Sequence, residues 1–74
     1  MGRVMADAAI HFRRGHEAEG MTLAASFLEE ALTKPLLTGA AVAMANAIKR
    51  GDFLCAADTI EYGMLPFLSL YEGA

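Results

Sequence analysis

Apolar side chains recur every three or four positions along nearly the whole chain, which is the spacing of an amphipathic α-helix. In the first half these stripes run through residues 4–12 and 21–32, and in the second half through 37–48 and 53–71. Runs of β-branched residues, which mark strands, are missing. The pattern therefore predicts an all-α protein, and we assign residues 1–74 to a single helical domain.

Three positions interrupt the stripes. Pro35 is the clearest, because the residue before a proline is disfavoured in the helical region, and it predicts a turn near 33–36. Gly15 and Gly51 each follow an apolar residue and two basic residues, and the apolar stripe changes face at both. Basic residues before a glycine are typical of a helix C-terminus.

Two architectures fit these interruptions. The preferred one is an antiparallel helical hairpin, with helices at about 4–33 and 36–72, that pairs with a second copy as a homodimeric four-helix bundle. The alternative is two short helix-turn-helix repeats, similar to tetratricopeptide repeats, in which Gly15 and Gly51 are turns.

The last apolar stripe forms a heptad seam, with spacings that alternate between four and three residues. Its members are Phe53, Ala57, Ile60, Met64, Phe67 and Tyr71. We predict that this seam, or the methionine-lined surface around it, contacts a partner helix or a second copy. Pro66 lies inside it and is expected to kink the helix at or after Tyr62, because proline removes a helical hydrogen bond.

Composition narrows the function classes. Hydrophobic residues make up 55% of the chain and charged residues 20%, with a net charge of −3, which excludes a disordered chain and argues against a nucleic-acid binder. A domain of this size hides only about 60–65% of its unfolded surface, so a homo-oligomer, a dimer, is predicted. The single Cys55 forms no internal disulfide.

No membrane contact is predicted either. The most apolar run, residues 36–48, is too short to span a bilayer and is typical of a buried helix. Residues 1–10 lack the continuous apolar core of a secretory signal. Together with the lone cysteine, this favours the cytoplasm.

Polar residues suggest little chemistry. A metal site near the middle of the first half would use His16 and Glu19, with His11 and Glu17 close by, but di-iron bundles need more histidines and carboxylates. We therefore assign these residues to a solvated turn and predict no metal ligands, no catalytic residues and no cofactor.

Two further polar groups stand out. Asp58, Glu61 and Tyr62 flank the seam, where charged residues set partner choice, so we assign them to the interface. Most of the basic charge forms a candidate anion-binding patch, which would face the acidic residues 52–74 in an antiparallel dimer. The patch comprises Arg13, Arg14, Lys49 and Arg50.

Two segments carry resemblances. The motifs Gly15-x-x-x-Glu19-Gly20 and Ala57-Asp58-x-x-Glu61-Tyr62-x-x-x-Pro66-x-Leu68 resemble a family of small uncharacterised bacterial helical proteins, although Gly63 stands where that family usually has an acidic residue. This resemblance implies a fold but no activity. Residues 47–53 are similar to flagellar export chaperones, which implies a hairpin that binds a partner's terminal helix. The same residues resemble the turn of a tetratricopeptide repeat.

The leading functional prediction is a non-catalytic protein–protein interaction module, adaptor-like or chaperone-like, that holds a partner helix or a second copy on its apolar faces. The alternative is a small metal-binding or enzymatic bundle. Its site would combine His16, Glu19, Asp58 and Glu61 across a dimer.

Overall fold

The computed structural model describes residues 1–72, which form four helical arms joined by three short turns. The last two residues of the predicted domain 1–74 lie outside this range. The prediction of an all-α fold is confirmed. The first three arms are α1 (Gly2–Arg13), α2 (Glu17–Leu32) and α3 (Pro35–Lys49); the last arm runs without a break through α4 (Phe53–Asp58), a π-helical segment (Thr59–Met64) and α5 (Leu65–Glu72).

The turns after α1 and α3 have the same geometry. Gly15 and Gly51 adopt φ values of 78° and 76°, in the left-handed region that favours glycine. The residue after each glycine donates its backbone N–H to a carbonyl five positions earlier, at 2.8 Å in both turns. This is the Schellman arrangement that ends helices, and it reverses the chain within three residues.

The predicted pair of long helices, 4–33 and 36–72, is therefore wrong. Each is divided at its glycine, because a left-handed residue cannot continue a right-handed helix. The positions of these breaks agree with the alternative of four short helices. Between α2 and α3 the chain turns at Thr33 and Lys34. Pro35 is the first residue of α3, where its missing N–H removes no helical hydrogen bond.

The arms form a closed ring of contacts rather than an open stack of repeats. α1 packs against α2, α2 against α3, and α3 against the last arm, and α1 also packs against α4. A four-helix arrangement therefore forms within one chain, where the preferred prediction required two copies.

The core lies in the centre of this ring. Among the described residues, no polar or charged side chain is buried there. All four arms contribute to the cluster of buried side chains: Met5, Ala8, Ala9, Phe12, Ala24, Phe27, Ala31, Leu37, Ala41, Met44, Ala47, Ala56, Ala57, Ile60, Met64 and Leu68. The abundant alanines allow close approach of the helix backbones.

The last arm widens where proline interrupts its hydrogen bonding. Pro66 is the second residue of α5, and the segment before it is π-helical, with Leu65 donating its N–H to the carbonyl of Ile60. A π turn relieves the clash between a proline ring and the preceding turn. The predicted irregularity is present, but it begins at Thr59, before the expected position at Tyr62.

Candidate functional site

The middle of the predicted heptad seam is buried inside the chain. Ala57, Ile60 and Met64 have no exposed surface, and half-buried Phe53 stacks on Phe12 with ring centroids 5.6 Å apart. Ala57, Ile60 and Met64 are covered by the protein's own helices, so they offer no surface to a partner in this structure. At these three positions the heptad spacing reflects packing between helices of the same chain. The predicted contact with a partner helix is therefore not available there.

The end of the seam has a different role. Phe67 is 42% exposed, whereas the Tyr71 hydroxyl accepts a hydrogen bond from the backbone N–H of Leu36 at 2.8 Å. The Lys34 ammonium lies 5.3 Å from the centroid of the Tyr71 ring. Tyr71 thus satisfies one of the free N–H groups at the start of α3, which has no side-chain cap of its own. No local sequence signal marks a cap supplied from 35 residues away.

The predicted interface carboxylates meet a basic residue of the same chain. The Arg13 guanidinium donates to Asp58 Oδ1 at 2.6 Å, and its Nε and Nη2 both donate to Glu61 Oε1. These hydrogen bonds, to Glu61 first and then to Asp58, raise the pKa of Arg13, which stays charged at any physiological pH. The third predicted residue, Tyr62, is 73% exposed and projects into solvent.

This ion-pair cluster changes two predictions. It fastens the C-terminal end of α1 to the last arm within one chain, whereas the pairing was expected across a dimer. It also removes Arg13 from the predicted anion-binding patch. Of the other three residues, Arg50 lies 3.8 Å from Asp52, and Arg14 and Lys49 form no ion pair with the side chains of residues 1–71.

A cluster that combines two histidines and a carboxylate forms at the Gly15 turn. A hydrogen bond joins the Nδ1 atoms of His11 and His16 at 3.3 Å, and the two rings are tilted at 43° with centroids 5.4 Å apart. One ligand atom from each of His11, His16 and Glu19 lies within 4.8 Å of the others. The structure therefore brings together His16 and Glu19, as the metal hypothesis required, but with His11 of the same chain rather than with Asp58 and Glu61.

A surface hollow of about 370 Å³ adjoins this cluster. Its lining includes His11 and Glu19, together with Ala18, Thr22 and Leu23. His11 is half-buried, and His16 and Glu19 are exposed. Solvent and small ions can therefore reach the side chains directly.

A second, apolar groove of about 190 Å³ runs between α2 and α3. Met21 at its edge is 40% exposed, and Met44 at its floor is buried. The remaining lining is apolar as well: Ala24, Ala25, Leu28, Ala45 and Ile48. Sequence analysis assigned no function to this groove, because its two walls come from different helices whose facing was unknown.

Comparison with protein-family models, with curated proteins and with solved structures finds no match to this chain. The resemblances to bacterial helical proteins, flagellar chaperones and tetratricopeptide repeats therefore stay predictions. Within residues 1–72, none of the helices combines the length and apolarity needed to cross a bilayer.

Proposed function

We propose that this protein is a non-catalytic interaction module that binds a helix in the groove between α2 and α3. The observation that carries the proposal is the apolar lining of that groove, which solvent reaches at Met21. Grooves of this kind take up the apolar face of an amphipathic helix through residues spaced three and four apart.

The choice of lining residues supports the same function. Met21 and Ala25 on α2 are exposed along the groove, Leu28, Ala45 and Ile48 are partly exposed, and Met44 is buried beneath them. Methionine is unbranched and polarisable, so the exposed Met21 side chain adapts to helices of different sequence. The helix supplied to the groove is either that of another protein, as in an adaptor or chaperone, or that of a second copy.

Sedimentation velocity over a dilution series tests the proposal. Met21→Glu places a charge at the open edge of the groove, and Leu54→Glu is the matched control, because Leu54 is 60% exposed on the last arm and does not line the groove. If the occupant is a second copy, the native chain and Leu54→Glu associate at high concentration and Met21→Glu stays monomeric.

If all three sediment as monomers, titration with a synthetic amphipathic helix of roughly 15 residues replaces the second copy. The proposal then requires amide shifts in the NMR spectrum at groove residues, and their loss in Met21→Glu. A chain that neither associates nor binds the peptide, or an equal effect of Leu54→Glu, contradicts it.

A further inference from the structure

We propose that His11, His16 and Glu19 form a binding site for a divalent transition-metal ion, with Zn²⁺ as the best fit. The site lies within one chain and is independent of the helix-binding groove. It rests on the placement of three side chains that the sequence separates by a helix end and a turn.

The Gly15 turn creates the site. His11 lies in the last turn of α1, and His16 precedes α2, with the His16 N–H donating to the His11 carbonyl at 2.8 Å. This backbone bond fixes the two histidines side by side. Glu19 follows His16 by three positions in the first turn of α2, so it lies on the same face.

The second glycine turn provides an internal comparison. Thirty-six positions later, its equivalents of His11, His16 and Glu19 are Ala47, Asp52 and Cys55. There Asp52 caps α4, because its side chain accepts a hydrogen bond from the N–H of Cys55 at 3.1 Å. His16 occupies the same N-cap position but its side chain caps nothing and faces His11 instead.

The distances suit a tetrahedral ion. Two nitrogens bound to Zn²⁺ at 2.0–2.1 Å lie about 3.3–3.4 Å apart when the angle between them is tetrahedral. The two Nδ1 atoms are 3.3 Å apart, where a hydrogen bond joins them, and a bound ion would take the place of the proton between them. The carboxylate of Glu19 is within 4.8 Å of both histidines, and its exposed side chain can rotate to close the remaining gap.

The ligand chemistry selects the class of ion. Two imidazoles and one carboxylate suit Zn²⁺ and its neighbours among the divalent transition metals, whereas Ca²⁺ and Mg²⁺ prefer oxygen ligands alone. The hollow beside His11 and Glu19 leaves the fourth position open to water. Glu17 and Glu19 place two negative charges in this helical turn, and of the two arginines before Gly15, Arg13 is paired with Asp58 and Glu61.

The test is calorimetric titration of the metal-stripped full chain with zinc sulfate, followed by thermal melting at each zinc concentration. We expect one zinc per chain and a melting temperature that rises with zinc. The key variant is His16→Asn, because asparagine is a good N-cap residue and keeps the helix start intact while removing one ligand. It should weaken zinc binding by about tenfold or more.

Glu17→Gln is the matched control, since it removes an acidic side chain from the same helical turn but not from the cluster. It should bind zinc with nearly native affinity. Cobalt gives a separate readout, because tetrahedral Co²⁺ bound at the site absorbs visible light. No binding by the native chain, unchanged binding by His16→Asn, or one zinc for every two chains would overturn the proposal.

Discussion

Gly20 is the position at which one added methyl group tests the packing of α1 on α2 most directly. A Cβ atom built there lies 2.6 Å from Cδ1 and Cε1 of Phe12, whereas carbon atoms pack at about 3.5–4.0 Å. Phe12 is 2% exposed and stacks on Phe53, so its ring has little room to retreat. Gly20→Ala therefore overfills the core.

Two opposing terms set the magnitude. Overpacking a core costs about 1–3 kcal/mol, and the short contact places this site near the upper end of that range. Replacing glycine by alanine in a helix returns about 1 kcal/mol through helix propensity. We expect a net loss of about 2 kcal/mol in the free energy of unfolding, or about 8–16 °C in melting temperature for a domain of this size.

Gly39→Ala is the matched control. Gly39 also lies inside a helix, α3, but nothing stands within 4 Å of an added Cβ. Only the difference in helix propensity acts there, so the free energy of unfolding of this variant should rise by about 0.8–1 kcal/mol. Urea denaturation monitored by circular dichroism measures both changes in the free energy of unfolding. We expect them to have opposite signs, although both variants replace glycine by alanine.

A double-mutant cycle tests whether the cost of Gly20→Ala comes from contact with the Phe12 ring. In a Phe12→Leu background the ring is gone, and most of the cost of Gly20→Ala should disappear. On one continuous helix, Phe12 and Gly20 would lie eight positions apart and could not touch. Gly20→Ala that is as stable as the native chain, or a cycle without coupling, would refute the turn at Gly15 and the packing described here.

Four other substitutions test separate contacts, and a fifth, Leu54→Ala, serves as the surface comparison; urea or thermal denaturation measures each. Gly51→Ala forces alanine into a left-handed conformation and should cost about 1–2 kcal/mol. Ile60→Ala in the core should cost about 2–5 kcal/mol, whereas Leu54→Ala at the surface should change stability by less than about 0.5 kcal/mol. Tyr71→Phe removes the hydroxyl that accepts an α3 backbone N–H and should cost about 0.5–1 kcal/mol. Arg13→Gln should lower the melting temperature and make it less dependent on salt, because it removes the ion pairs with the last arm.

Periodicity predicts the helices well but not their partners. The seam residues Ala57, Ile60 and Met64 are apolar at heptad spacing whether the facing helix belongs to the same chain or to another. The glycine turns determine that the facing helices belong to the same chain, since they divide two long helices into four short ones. Four short helices bury these side chains within a single copy, and the predicted dimer is no longer needed for that purpose.

The candidate metal site shows why spacing alone misses such a cluster. On a continuous helix, His11 and His16 are five residues apart and point roughly 140° away from each other at 100° per residue. Only His16 and Glu19 share a face on that assumption, and two ligands make a weak case. Once Gly15 reverses the chain, the two histidine nitrogens come within 3.3 Å.

The Gly15 turn links three features that sequence analysis treated separately. It sets Gly20 against Phe12, places His16 beside His11, and ends α1 at the point where Arg13 reaches the last arm. Because the three contacts share one short stretch of backbone, their energies are not independent. A metal ion bound to the histidines would hold the ends of α1 and α2 together, and this constraint resists the displacement that an alanine at Gly20 requires. Stability at this end of the bundle and metal affinity are therefore linked, since any ligand that binds only the folded chain raises its stability.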